Sequence, residues 1–389
     1  MRINAFPALS LSLLLGRNRN VTGFDLLKRK SVVPCYFGRG AIWNAVCIME
    51  LTETDNVLMP AYHCSIEVEA VLKAGTQVRF YNVNRNMRVD LHDLKEKIDD
   101  NTKAVFVIHY FGFPQPIDEI KKICEENDLL LIEDAAHSLF SSYKGRFLGT
   151  HGDFGVLSMK KSLPIPNGGA LMINNSNYQV PKSLKKPNFV SVLREMVFLF
   201  VNVIGLRCSN LYGILDFVFL KPIRKLLKIV KRMSKSELGI VTPTSMEFSP
   251  EIGNWGMSKV SQKIIENIDV EYIKRKRRAN YKFLLERIVG MDGITPCFKN
   301  LPEDVCPFFL PIVVNKRENL QKRLSEKGVF TYVMGEFLHN RLPNRNFHDA
   351  RYLSKHVLGL PIHQDLEKHH MEYIANSLEK ILNDEKKKS

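Results

Sequence analysis

No two of the seven cysteines, at positions 35, 47, 64, 124, 208, 297 and 306, stand in a CxxC or other metal-ligand spacing. That scatter excludes a sequence-encoded zinc site and a disulfide framework, and it suits a reducing cytoplasm. A bilayer-spanning run is also lacking. In the most apolar region, 189–219, the longest uncharged stretch is Met196–Leu206, eleven residues, where a helix needs about 20 to cross. Internal repeats and low-complexity tracts are absent. At the N-terminus, Arg2 and the apolar residues 6–15 faintly resemble a signal peptide, but the run is short. Arg17 and Arg19 follow it, and there is no small-residue cleavage site. A packed N-terminal segment of a cytoplasmic protein is the expectation. The net charge of +15 is not an even basic field, because residues 182–235 hold twelve Lys/Arg against two acids. Outside that segment the chain is near balance, which argues against nucleic-acid binding.

What is present is ordinary globular material, 45% apolar and 25% charged. The length predicts two domains, or one large domain with a satellite. Short apolar runs at 57–60, 78–83, 104–110, 129–132, 155–159 and 169–173 alternate with helical patterns at 65–74, 91–98 and 117–127. This is the signature of a mainly parallel sheet covered by helices on both faces, an α/β fold with its site at the carboxyl ends of the strands. Gly38-Arg39-Gly40 opens the periodic stretch 41–49, a glycine-rich turn into a helix whose free N–H groups could hold a phosphate or simply start a core helix.

Residues 181–235 interrupt the pattern with an apolar stretch and then the basic amphipathic segment 221–232. Two readings stand: a helical hairpin packed on the domain or on a dimer partner, and a peripheral helix lying on anionic lipid at the inner face of a membrane. From about 246 the chain is helical over 258–287, with the basic run 274–278 read as a solvated face. A strand at 308–314, a helix at 318–327, a strand at 329–333 and a final helix at 368–382 complete a small α+β domain. The expected division is 1–245, a large domain bearing the insert, and 246–389, a small one.

The chemistry concentrates in 129–174, LLLIEDAAHSLFSSYKGRFLGTHGDFGVLSMKKSLPIPNGGALMIN. Asp134 closes one apolar run, and Lys160 and Lys161 close the next. A carboxylate at one strand end and a lysine at the neighbouring end suit pyridoxal 5′-phosphate (PLP): the lysine can form a Schiff base and the acid can keep the pyridine nitrogen protonated. Lys161 is preferred over Lys160, because Ser158 precedes it by three with a hydroxyl free for phosphate, and because strand alternation sends the two lysines apart. His137 could donate to the cofactor's ring oxygen or pack beneath it. No metal is expected.

These motifs, with TKAVFVIHYFGFPQPIDEI at 102–120, LIEDAAHSLFSSYKGRFLG at 131–149, Asn167-Gly168-Gly169 and VLGLPIHQDL at 357–366, resemble the DegT/StrS-type sugar aminotransferases, PLP enzymes of fold type I with an aspartate aminotransferase-like architecture. The resemblance implies that Lys161 carries PLP, Asp134 pairs with the pyridine nitrogen and His137 contacts the ring oxygen. Ser158 and the backbone at Arg39 and Gly40 would bind phosphate. The residue stacked over the ring would come from Tyr62-His63-Cys64: counting back from Gly75 indicates Cys64, while the imidazole of His63 is the better stacking group and is preferred. Asn254 would reach the phosphate of a second subunit, implying a homodimer.

The implied reaction moves an amino group, from glutamate, onto a keto-sugar nucleotide for surface polysaccharide or related glycans. Departures from the family fall mainly on the substrate side. Gly256 replaces an Arg, Met334-Gly335-Glu336 replace a His-Tyr-Pro (a later His aligns with His339), Asn167 replaces an acid, and two residues are missing between serine and lysine. They keep open a degenerate, membrane-associated assembly or regulatory protein, and a PLP enzyme of another outcome.

Overall fold

A computed structural model describes residues 1–9, 13, 24–181, 183–207, 248–343 and 346–387, with backbone only for 201–207. A seven-stranded sheet forms its centre. The strands are β1 (Val32–Cys35), β2 (Asn56–Pro60), β3 (Gln77–Tyr81), β4 (Thr102–Ile108), β5 (Leu130–Asp134), β8 (Phe154–Leu157) and β9 (Gly169–Ile173), in the order β1-β9-β8-β5-β4-β2-β3. The pairs from β8 through β5, β4 and β2 to β3 are parallel, and β9 runs against both its neighbours. Strands β2, β8 and β9 are buried at every position and β5 at all but its first. Such unbroken apolar runs fit a sheet covered on both faces. The edge strand β3 buries only Phe80 and Tyr81. A small antiparallel pair, β6 (Ser142–Tyr143) and β7 (Arg146–Phe147), lies outside the sheet.

The crossovers are helical: α1 (Gly38–Ile48), α2 (Ser65–Leu72), α3 (Leu91–Glu96) and α4 (Ile117–Glu126). Their starts follow ordinary rules. Asp90 caps α3 by accepting the N–H groups of His92 and Asp93, each at 3.1 Å, and α4 buries Ile117, Ile120, Ile123 and Cys124 on one stripe. The one-turn helix α5 (Met159–Ser162) follows β8, and α6 (Phe189–Arg207) opens the insert. The basic segment 221–232 lies outside the described residues. Among the described residues no helix is long and apolar enough to cross a membrane.

The C-terminal part contains α7 (Pro250–Gly253), α8 (Lys259–Ile265) and α9 (Val270–Ile288). A three-stranded antiparallel sheet follows, of β10 (Ile294–Pro296), β11 (Leu310–Val314) and β12 (Val357–Leu360), with α10 (Arg317–Glu326), α11 (His348–His356) and α12 (Lys368–Lys386). Three expectations need correction. The pattern over 258–287 is two helices, because Asp269 breaks the first and caps the second through Tyr272 N–H at 2.9 Å. Residues 329–333 form only isolated bridges, Val329 to Ile3 and Tyr332 to Gly359; the third strand is 357–360. The N-terminal residues, counted with the large domain, pack instead on the C-terminal part. Ile3 is fully buried and its N–H donates to Gly328 O at 2.8 Å, while Ala8 N–H meets Asp365 Oδ2 at 2.7 Å.

Candidate active site

Strands β4, β5 and β8 end side by side, and the polar residues that close them separate into two groups. Glu133 and Asp134 face opposite sides of β5, as alternation requires. Glu133 is structural: it accepts His109 Nε2–H at 3.0 Å and the N–H groups of Gly149 (2.9 Å), His151 and Gly152 (both 2.5 Å). Burial pushes its carboxyl up, but His109 and those amides outweigh burial and hold it below the ordinary range. Asp134 is as deeply buried, yet accepts a single hydrogen bond, from Ala136 N–H to Oδ1 at 2.7 Å. Burial raises its carboxyl, and Lys161 only partly offsets this.

Lys161 Nζ lies 3.1 Å from His137 Nε2, which is also 3.1 Å from the Tyr332 hydroxyl. Burial first, and the Lys161 charge second, keep the imidazole well below its ordinary proton affinity. An ammonium can only donate, so with Lys161 charged Nε2 accepts and the ring proton sits on Nδ1. That Nδ1 is buried and has no partner among the described atoms. The ring stacks on Phe308 (4.7 Å, 22°) and leans on Phe111 and Tyr332.

The rival lysine is occupied elsewhere. Lys160 Nζ pairs with Glu195 Oε2 of α6 at 2.6 Å, and Arg194 pairs with the other oxygen at 2.9 Å. The two lysines leave a single helical turn rather than a strand, and still diverge. The Gly pair brings the phosphate-type helix start to them. A Cβ on Gly169 would stand 2.3 Å from the Phe37 carbonyl carbon, so only glycine lets the start of α1 lie against β9. Gly168 N–H donates to Tyr36 O at 2.9 Å and Gly168 O accepts Lys160 N–H at 3.1 Å. Arg39 and Gly40, in the first turn of α1, thereby stand beside the lysine turn, and Ser158 directly precedes it with a hydroxyl that caps none of its N–H groups. Burial lowers the Arg39 guanidinium to about 10, which leaves it a cation at neutral pH.

His63 does not lie over this site. Its ring stacks on Phe80 (5.1 Å, 14°), Nδ1 bonds Pro60 O at 3.0 Å, and Nε2 accepts His339 N–H at 3.1 Å. With both nitrogens committed and the ring fully buried, it is an anchor for the 334–339 loop, and the preference for it as the stacking residue is corrected. Cys64 is the neighbour that feels both Lys161 and Asp134; burial raises its thiol to about 12. Asn254 ends α7, which packs on α1 through Asn44 Nδ2–H to Gly253 O at 2.8 Å.

Glu67 escaped the sequence reading. It sits in the first turn of α2, buried, with one oxygen accepting Cys64 N–H at 3.0 Å. Burial and then Asp134 push its carboxyl up to about 8, against the pull of Lys161. An acid inside an apolar helix repeat gave no signal by itself. Among the described residues no His/Cys/Asp/Glu group could hold a metal.

The residues suit PLP by their own chemistry. A buried carboxylate with one donor among the described residues is short of a cation, a buried imidazole has an orphan ring nitrogen, and a lysine touches that imidazole and acts by charge on that carboxylate.

Residues 25–184 match the model of the DegT/DnrJ/EryC1/StrS aminotransferase family. The GDP-perosamine synthase of Vibrio cholerae is 26% identical over 219 residues, 55% of this chain and 60% of that protein. The dTDP-4-dehydro-2,3,6-trideoxy-D-glucose 4-aminotransferase of Saccharopolyspora spinosa is 33% identical over 143 residues, 36% and 37% of the two chains. The matched stretches thus span less than two thirds of either relative. A Helicobacter pylori aminotransferase involved in the biosynthesis of pseudoaminic acid superposes over 98% of this chain and 99% of its own, at 15% identity and a TM-score of 0.70. That likeness places the whole chain in the same α/β fold, of type I. The family model thus spans the lysine site, and the solved structures share the fold, so the chain is similar to the DegT/DnrJ/EryC1/StrS aminotransferases over residues 25–184.

Proposed function

We propose that the protein is a PLP-dependent aminotransferase that moves an amino group, from glutamate, onto a keto-sugar nucleotide for surface polysaccharide or a related glycan. One observation carries this reading: Lys161 Nζ touches the buried His137 and feels the charge of the buried Asp134 at adjoining strand ends. Bound PLP would supply an aldehyde for the lysine amine and a pyridinium that draws electrons from a deprotonated carbon. Asp134 holds the proton on the pyridine nitrogen by charge, at a depth where that attraction is little screened. His137 orients Lys161 through Nε2 and turns its free Nδ1 side to the cofactor's ring oxygen. Lys161 Nζ, when free, accepts the proton from the substrate carbon and returns it. The first-turn N–H groups at Arg39 and Gly40, the Arg39 charge and the Ser158 hydroxyl hold the phosphate. Phe111, Phe308 and Tyr332 keep water from the lysine.

Residues 1–245 are read as the cofactor domain, its first nine residues packed on the other unit, and 246–389 as the small domain. A homodimer is part of the reading, with Asn254 reaching a second copy's phosphate site; sedimentation of the purified protein at micromolar concentration tests it, and a monomer overturns it. The central claim is tested by the visible absorption band of the PLP-loaded protein and by 2-oxoglutarate release from glutamate. Both should vanish in Lys161→Ala and survive in Lys160→Ala. A protein that takes up no PLP would instead support the non-catalytic assembly or regulatory reading. For membrane contact through 189–233, exposed Phe189, Val190, Leu193 and Phe198 on α6 offer an apolar face. Equal vesicle co-sedimentation with and without that segment refutes it.

A further inference from the structure

The basic run 274–278 reads in sequence as a solvated face, but Arg277 falls on the buried stripe of α9 with Val270, Ile273, Asn280, Tyr281 and Leu284. It is only 2% exposed, among the largest buried side chains of the protein. Among the described residues no carboxylate hydrogen-bonds its guanidinium, and Asp365 acts on it only through space, too weakly to offset burial. Nε–H donates to Gln364 Oε1 at 3.0 Å, one terminal nitrogen to Ser162 O at 3.0 Å, and the other to Phe308 O at 3.2 Å and Pro307 O at 3.4 Å. Gln364 Nε2–H adds a second donor to Ser162 O at 3.3 Å. A buried cation without an anionic partner is costly unless its hydrogen bonds do something in return.

Two of those carbonyls belong to the backbone beneath the site. Ser162 follows Lys161 directly and ends its helical turn. Phe308 stacks on His137, the residue that Lys161 Nζ touches, and its own N–H is fixed on Phe111 O at 2.9 Å. The planar fork therefore ties the lysine side and the histidine side of one 3.1 Å contact to the same rigid group. Lysine, a single point donor, could not span both carbonyls.

We propose that Arg277 is a positioning residue that sets the separation and alignment of Lys161 and His137 for transamination. It touches neither cofactor nor substrate; it acts through Ser162 and Phe308. This rests on the aminotransferase reading, so the test has one arm that does not.

In the cofactor-free protein, nitrogen-15 NMR of histidine reads the His137 ring, and Lys161→Ala defines the signature of losing the lysine contact. Arg277→Lys should move the His137 resonances toward that signature. In the PLP-loaded protein the same variant should shift the pH midpoint of the visible band by about half a unit or more. It should also lower kcat about 10- to 100-fold with little change in KM for glutamate. Unchanged His137 resonances in a folded Arg277→Lys protein, with kcat within about twofold of the parent, overturn the proposal. If Arg277→Lys does not fold, Gln364→Leu takes its place, with the same direction expected and an unchanged His137 spectrum overturning. A protein that binds no PLP sinks the aminotransferase reading, while the NMR arm still decides the role of Arg277.

Discussion

The stretch 129–174 and the loop 331–343 approach the same pocket, and they are held in opposite ways. In the first, polar side chains are fixed from within: Glu133 gathers three amides and His109, Asn167 holds the cap of α8 through Ser258 N–H at 2.8 Å, and Lys161 is left for chemistry. The loop is fixed from outside, by residues of the turn between β2 and α2 and of α2 itself. Tyr62 donates to Met334 O at 3.1 Å, His63 accepts His339 N–H, and the His339 ring meets Glu69 at 2.9 Å. Gly335 makes this possible. Its φ is +60°, and a Cβ there would stand 2.8 Å from Tyr62 and 3.0 Å from His63 O. The positions where the chain leaves the family pattern at 334–336 are thus linked to the histidine at 63. In this chain those positions are packed and hydrogen-bonded. The lysine stretch is thus held mainly by ties to its own amides, to His109 and to Arg277, and the 334–339 loop by a different set of residues.

That contrast can be broken at either side. The largest effect is expected at Lys161. Lys161→Ala should cost at least about a thousandfold in amino transfer, since both the covalent link and the proton carrier go, and Lys160→Ala should keep the visible band. Next comes the tie between lysine turn and insert. Glu195→Ala leaves Lys160 and Arg194 without their shared carboxylate, and urea denaturation should show a loss of about 3 kcal/mol, as for a broken buried pair. Gly335→Ala should cost about 1–3 kcal/mol by strain and crowding, and raise KM for the keto acceptor while the cofactor band stays; a shifted band would show that the two sides are not separable.

A further effect is a slope with pH. Glu67 binds its proton more tightly folded, about 8, than unfolded. The native state therefore carries the extra proton between about 4.3 and 8, and stability falls as pH rises through that window, by at most about 1.4 kcal/mol per unit. In Glu67→Gln that part of the slope should disappear from denaturation of the cofactor-free protein at pH 5, 6.5 and 8. An identical slope would place the titration on Asp134 instead.

Much of this was legible in the chain. Buried parallel strands announce themselves as unbroken apolar runs, so β2, β4, β5, β8 and β9 were expected close to their places, and Asp134 and Lys161 could be seen at strand ends. Strand β1 was missed because it is four residues long, carries Pro34 and runs into a glycine turn at Gly38. The role of Arg277 was misread because a basic run looks solvated until the partner carbonyls, distant in sequence, are in place. His63 was given the wrong neighbour for the same reason, since Phe80 and His339 are far from it along the chain.

By itself the sequence determined most of the sheet, the order of polar residues along it, and Lys161 as the candidate amine. These depend on local periodicity and on residue types at strand ends, which a linear reading contains. Only the tertiary structure decided which acid is structural and which is free, that Cys64 rather than His63 borders the lysine, that Glu67 belongs to the pocket, and that a buried arginine underpins it. Each of these turns on burial and on hydrogen bonds between distant segments. Desolvation and partner geometry set what a titratable side chain can do, and neither exists until the chain has folded.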